Sequence, residues 1–149
     1  MKRGLWTLVL GLVTAAGYAQ WSNPGEDVPA YHPDPPAKGA ALPPVMAGAQ
    51  LTGQYFVYPW QKAVYQQAAQ IQKVLYQLPC FCRCDRAMGH SSLHSCFEGT
   101  HGALCATCLK ELYYSYSMHQ KGKTAVEIRQ GIIRGDWKQV DLKTAASNN

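Results

Sequence analysis

Residues 61–84 read QKAVYQQAAQIQKVLYQLPCFCRC, an amphipathic run that stops at a proline and passes straight into three cysteines at alternate positions. Val64, Ala68, Ile71, Leu75 and Leu78 recur at three- and four-residue intervals, the spacing of one helical face. Tyr65, Ala69 and Tyr76 widen that face. The spacing predicts a helix over Gln61–Gln77. It should end at Leu78, because the residue before Pro79 is pushed out of the helical region.

Two further helices are expected downstream. Leu104, Cys105, Cys108, Leu109, Leu112 and Tyr116 predict a helix from about Ala103 to Met118, with Gly122 as terminator. Thr124-Ala125-Val126-Glu127 has the form of a capping box, and Gly135 would end the helix that it opens. Val126, Ile132 and Ile133 should face inward, Trp137 should return to close the core, and Lys143–Asn149 should fray. Between the first two helices, Ser91–Phe97 reads as a short helical turn capped by Ser91 or Ser92. Tyr113, Tyr114 and Tyr116 are expected to lay their rings over the core and keep their hydroxyls wet. The fold class is therefore all-α, a small Cys-rich helical domain of two to three main helices around a Cys/His loop, over residues 54–149. Such a domain has a limited core and calls for covalent or metal staples.

Upstream, residues 20–53 carry seven of the nine prolines and no apolar periodicity, so they read as a Pro-rich extended linker lying loosely on the domain or serving as a tether. Residues 1–19 have a signal peptide's three parts: basic Lys2 and Arg3, an apolar stretch over Leu5–Ala16, and small residues ending at Ala19. The apolar stretch is short of the ~20 residues that span a bilayer. An exported protein is expected, periplasmic or extracellular, without stable membrane insertion after signal cleavage.

The 149-residue chain has 14 basic and nine acidic side chains, a formal charge of +5. Loss of Lys2 and Arg3 leaves 12 against nine, or +3. That is too sparse for a nucleic-acid binder, and electrostatic steering becomes a weak theme.

The chemistry lies in Cys80, Cys82, Cys84, Cys96, Cys105 and Cys108, all six cysteines of the chain. If the first three lie on an extended strip, alternation presents three sulfurs on one side, and neighbours there are poorly placed to bridge one another. Cys105 and Cys108 share a side of a helix start, where the helix dipole favours thiolate. His90, His94 and His101 are interleaved with them, and thiolate with imidazole suits copper(I) or zinc. Against this, an even number of cysteines in an exported chain is the usual mark of a disulfide framework. Cys105-Ala106-Thr107-Cys108 is followed by Leu109 rather than His, which argues against haem attachment, and one Cys-x-x-Cys is too few for a zinc ribbon. Met88 is a conceivable thioether ligand. His32 reads as a solvated linker histidine, His119 as a C-terminal cap, and Arg83 and Arg86 as exposed loop arginines, while Asp85, Glu98 and Glu111 read as solvated or capping residues as readily as ligands.

Pro79-Cys80-Phe81-Cys82-Arg83-Cys84, Gly89-His90-Ser91-Ser92-Leu93, Cys96-Phe97, His101-Gly102 and Cys105-x-x-Cys108 together resemble the exported bacterial family named for its PCYCGC or CYCXC motif, also termed a (seleno)protein family. The resemblance covers Tyr55–Trp137, with Phe81 at the usual tyrosine and Arg83 at the variable position. Many relatives look like lipoproteins, whereas no cysteine follows the apolar run here. Selenocysteine in relatives implies a reactive chalcogen rather than a pure staple.

The expected function is binding of a soft or borderline metal ion, copper(I) or zinc, by Cys80, Cys82, Cys84, Cys96, Cys105 and Cys108 with His90 and His101. More than four ligands implies a second metal or some disulfides. Two alternatives stand beside it. One is a thiol–disulfide redox protein using Cys105 and Cys108 with the Cys80–Cys84 strip, whose partner would be an exported redox protein. The other is a disulfide-stapled interaction domain without site chemistry.

Overall fold

A computed structural model describes residues 27–145. The expected signal peptide lies outside the described residues, as do 146–149. Every regular element among the described residues is helical, and none is a strand. The α-helices are α1 (Pro59–Gln70), α2 (Gln72–Leu75), α3 (Cys84–Met88), α4 (Ala106–Gln120), α5 (Ala125–Arg134) and α6 (Leu142–Ala145).

Pro59 stands at the first position of α1, where its missing N–H goes unneeded and its fixed φ suits the helix. Gln61 Oε1 accepts the Tyr58 N–H at 2.8 Å, and Gln61 Nε2 donates to the Ala103 carbonyl at 2.8 Å, so one buried amide caps α1 and ties it to the loop before α4. The expected single helix is broken at Ile71 (φ −121°, ψ 27°), which divides α1 from α2. The break leaves the apolar row in register: Val64, Ala68, Ile71, Leu75 and Leu78 are all buried.

α4 is the central element and packs on α1, α5 and the 3-10 turn Asp136–Gln139. It begins at Ala106 rather than Ala103, because Thr100–Leu104 forms a 3-10 turn of its own. Leu104 is consequently 65 % exposed instead of buried on the helix face. α4 closes with Gly122 in the left-handed region (φ 78°): its N–H donates to His119 O at 2.9 Å, and the Lys123 N–H donates to Met118 O at 3.1 Å. This is the Schellman pairing, which satisfies two otherwise orphaned carbonyls. His119 is exposed in that last turn.

The capping box of α5 is formed as the sequence indicates. Thr124 Oγ1 accepts the Glu127 N–H at 3.3 Å, and Glu127 Oε2 accepts the Thr124 N–H at 2.9 Å. Its inward face is Ile128 and Ile132, four residues apart, with Ile133 half-buried, whereas Val126 is 47 % exposed. The inward assignment of Val126 is thus corrected: Ile128 and Ile132 fix the helix phase and turn Val126 to solvent. Trp137 closes on the core and donates Nε1–H to Ile132 O at 3.2 Å. The rings of Tyr113, Tyr114 and Tyr116 pack against the core. Residues 142–145 form a helical turn at the place where fraying was expected, and Leu142 packs on the core.

The extended residues before α1 are fastened rather than loose. Val45, Leu51 and Phe56 are buried, and the Met46 N–H donates to Phe97 O at 2.9 Å. Phe56 and Phe97 both meet the buried Tyr65 ring edge-on, at centroid distances of 5.0 Å. Tyr65 also donates its hydroxyl to Gly99 O at 2.7 Å and accepts the Ala103 N–H at 3.0 Å. That side chain pins both ends of the 99–103 loop, which carries His101. Burial pushes the Tyr65 phenol well above the usual range, so it stays a neutral donor.

Candidate metal centre

The Cys80–Cys84 strip is a turn, not the extended segment expected. The Arg83 N–H donates to Cys80 O at 3.3 Å, and Arg83 itself adopts the left-handed conformation (φ 64°) before α3 begins at Cys84. The turn achieves by curvature what alternation was expected to give. Cys82 Sγ lies 3.1 Å from Cys80 Sγ and 3.0 Å from Cys84 Sγ. All six cysteines are free thiols, since a disulfide would place its sulfurs about 2.05 Å apart.

Three other segments close on this turn. From the first turn of α4, Cys108 Sγ sits 3.4 Å from both Cys80 Sγ and Cys82 Sγ. Cys105, at the N-cap of the same helix, has its sulfur in interaction with those of Cys108 and Cys82. The 3-10 turn Leu93–Phe97 supplies buried Cys96, and the 3-10 turn before α4 supplies His101, whose Nε2 is 2.8 Å from Cys84 Sγ. Cys96 Sγ is 3.4 Å from His90 Nδ1, and the His90 and His101 rings meet edge-on at 5.4 Å.

Six of the eight expected residues fall into two overlapping groups that could hold a metal ion, with Cys105 and His90 beside them. The sulfurs of Cys80, Cys82, Cys96 and Cys108 lie within 4.8 Å of one another, and so do the ligand atoms of Cys82, Cys84 and His101. Their 3.0–3.4 Å sulfur contacts fall just inside the edge, about 3.8 Å, of a tetrahedron with ~2.3 Å metal–sulfur arms. Spreading by some tenths of an ångström would seat an ion.

Cys82 is the electrostatic hub. Hydrogen bonds from Cys105, Cys108, Cys80 and Cys96 hold its thiol well below the usual range. Cys105, Cys80 and Cys82 drive Cys108 the other way, and burial pushes Cys84 up to about 12. Burial, then His101, lowers His90, which keeps the imidazole neutral and able to ligate.

His94 stays outside the cluster. It is buried, with Nδ1 3.0 Å from Glu98 Oε1. His32 stacks on Tyr76 at 3.8 Å, Met88 is exposed on α3, and Asp85 Oδ2 accepts the Ala30 N–H at 3.2 Å. Arg83 and Arg86 both direct their guanidinium groups to Asp27, at 2.8 and 2.7 Å, not to thiolates.

Glu111, which on sequence reads as solvated or capping as readily as functional, lies against the cluster. It is fully buried one turn beyond Cys108, lies close enough to Cys80 to interact with its thiol, and accepts the Phe81 N–H on Oε1 at 2.9 Å. Burial raises its carboxyl to about 8, so at neutral pH it is chiefly a neutral acid beside the sulfurs. The available signal was periodicity: Glu111 shares the apolar face of Cys108, Leu112 and Ser115, where a carboxylate has no ordinary place.

A family model described as "Protein of unknown function with PCYCGC motif" matches residues 57–140. No curated protein and no solved structure matches the chain.

Proposed function

The chain belongs to the PCYCGC-motif family, and from that premise we propose that its cysteine–histidine cluster binds a soft or borderline metal ion, copper(I) or zinc. One observation carries the reading: Cys80, Cys82, Cys96 and Cys108 hold four sulfurs within 4.8 Å of one another. A disulfide framework needs sulfurs in separate pairs. Here Cys82 alone touches Cys80, Cys84 and Cys108. Thiolates select copper(I) and zinc over hard cations, and imidazole suits the same ions. Zinc fits the four-sulfur group most directly, while copper(I) would be content with fewer of the sulfurs.

The same proposal places the protein outside the cytoplasm, on the strength of residues 1–19. An oxidising compartment would otherwise convert these thiols to disulfides, and a bound ion protects them. No helix among the described residues is long and apolar enough to cross a membrane.

A second reading has its own observation, the half-exposed Cys82 with a depressed thiol pKa in contact with three other sulfurs. Cys82 or Cys105 would attack a partner protein's disulfide. A neighbouring cysteine would then displace the mixed disulfide, leaving the partner as two thiols and this chain with one disulfide.

Elemental analysis with free-thiol counting, on protein purified from the exported compartment, separates the readings. Stoichiometric metal with protected free thiols supports metal binding. A metal-free protein with one readily reduced pair supports the redox reading, and three inert disulfides defeat both.

A further inference from the structure

Cys82 is common to both groups of ligand atoms, the four-sulfur group with Cys80, Cys96 and Cys108, and the second with Cys84 and His101. We propose that the chain binds two metal ions as one cluster, with the Cys82 thiolate bridging them. The inference rests on the metal-binding reading above and specifies its stoichiometry and connectivity.

The ligand supply fits two ions. An ion among Cys80, Cys82, Cys96 and Cys108 is four-coordinate and complete, yet Cys84 Sγ and His101 Nε2 remain paired at 2.8 Å beside the Cys82 sulfur. Two four-coordinate ions sharing one sulfur take seven ligand atoms. Cys82, Cys84 and His101 supply three to the second ion, and its fourth position is left to a solvent molecule. His90 remains as a hydrogen-bonding partner of Cys96. A thiolate sulfur has lone pairs enough to serve two ions at once.

Charge points the same way. Four thiolates around one divalent ion leave a net double negative charge in a largely buried setting, which is unfavourable without a counter-charge. The two arginines of the strip do not provide it, since both are committed to Asp27. A second divalent cation beside Cys82 brings two positive charges against the single further negative of Cys84, because His101 ligates as a neutral imidazole, and so halves that excess. Each thiol that ligates releases its proton to solvent.

The two positions differ in access. Cys80, Cys96 and Cys108 are buried, whereas at the second position only Cys84 is buried and both Cys82 and His101 are half-exposed. The four-sulfur position should fill first and empty last, and the His101 position should exchange more freely.

Titration of the reduced full chain with cobalt(II), followed by thiolate charge-transfer absorption and electron paramagnetic resonance, tests this. The expected result is two ions per chain, with a high-spin signal that rises to one equivalent and falls as the second ion couples through the Cys82 sulfur. His101→Ala should keep one ion and a full uncoupled signal, and Cys82→Ser should abolish coupling. No cobalt bound with all thiols free would defeat the metal-binding reading itself. Saturation at one ion would overturn the cluster alone. Two ions with additive signals would overturn the bridge, and two coupled ions in His101→Ala would overturn the ligand assignment.

Discussion

Glu111 Oε1, on α4, accepts the backbone N–H of Phe81 at 2.9 Å, from the cysteine turn 30 residues earlier in the chain. The bond fixes the middle of the Cys80–Cys82 segment against the helix that carries Cys108. Its acceptor is fully buried, and the second oxygen, Oε2, has no partner. A buried carboxyl in that position does least harm when protonated.

A pH dependence follows for the metal-free protein. The Glu111 pKa is raised from 4.5 to about 8 in the folded state. Its protonated form is therefore favoured by folding, and the associated stability is full below about pH 4.5 and lost as pH rises through about 8. The loss should be on the order of a few kcal/mol. Denaturant midpoints across that window should fall more steeply for the wild type than for Glu111→Gln. Cys82, held low in the folded state, pushes both proteins the opposite way and cancels in the comparison, and Cys80, held high, contributes only at the alkaline end. Parallel profiles for the two proteins would contradict the assignment.

Gly102 sets the position of His101. A Cβ there would stand 2.6 Å from the Cys96 carbonyl oxygen and 3.0 Å from the Tyr65 hydroxyl, one of them backbone and the other held by two hydrogen bonds. Gly102→Ala should cost about 1–3 kcal/mol, the usual range for overpacking. It should also weaken metal binding by moving His101 off Cys84. Gly99→Ala, in the same loop, meets nothing within 4 Å and is the control. Equal denaturation midpoints for the two variants would dispose of the close-packing argument.

Much of this was readable from residue order. The row from Val64 to Leu78 was visible because helical phase survives the break at Ile71, but the break was not, since no Gly or Pro marks it. Thr124 and Glu127 announced their cap because both partners lie within four residues. Cys96 and His101 could be nominated by type. Their arrival at Cys82 and Cys84 depends on turns at 80–83 and 99–103 that Tyr65 and Arg83 hold through contacts distant in sequence. His90 and His94 lie four residues apart in the sequence, and tertiary packing sends His94 to Glu98 and His90 to Cys96. Val126 and Leu104 show the complementary failure, where an apolar residue at a plausible interval ends in solvent.

The motif's own spelling predicts the outcome of a substitution at Arg83. PCYCGC has glycine at the fifth position, where this chain has Arg83 at φ 64°, the one non-glycine residue with positive φ among the described residues. Left-handed backbone costs a residue with a Cβ roughly 1–2 kcal/mol. The bond to Asp27 is a partly exposed ion pair worth about 0–1 kcal/mol, and glycine adds unfolded-state entropy. Arg83→Gly should therefore stay within about 1 kcal/mol of wild type, whereas Arg83→Val should lose more than about 1 kcal/mol, because it gives up the ion pair and crowds the backbone further. Thermal denaturation of the three proteins checks the order. A valine variant as stable as the glycine variant would mean that the turn does not need this conformation.

The six sulfurs should also separate by reactivity in the reduced, metal-free chain. Alkylation follows thiolate character and access together. Cys82 has both, being half-exposed and held below the usual thiol range by hydrogen bonds from Cys105, Cys108, Cys80 and Cys96. Cys105 is equally accessible but its thiol is raised, because the effect of Cys82 and burial outweighs the opposing hydrogen bond from Cys108. Cys96 and Cys108 are fully buried and can react only when the loop or the start of α4 opens. Limiting iodoacetamide followed by peptide mass spectrometry should find Cys82 modified first, Cys105 later, and Cys96 and Cys108 last. Metal should abolish the lead of Cys82, because a bridging sulfur has given its lone pairs to two ions. If Cys96 were instead labelled as fast as Cys82, the loop that carries it would not be packed in solution as described, and the four-sulfur group would lose its buried corner.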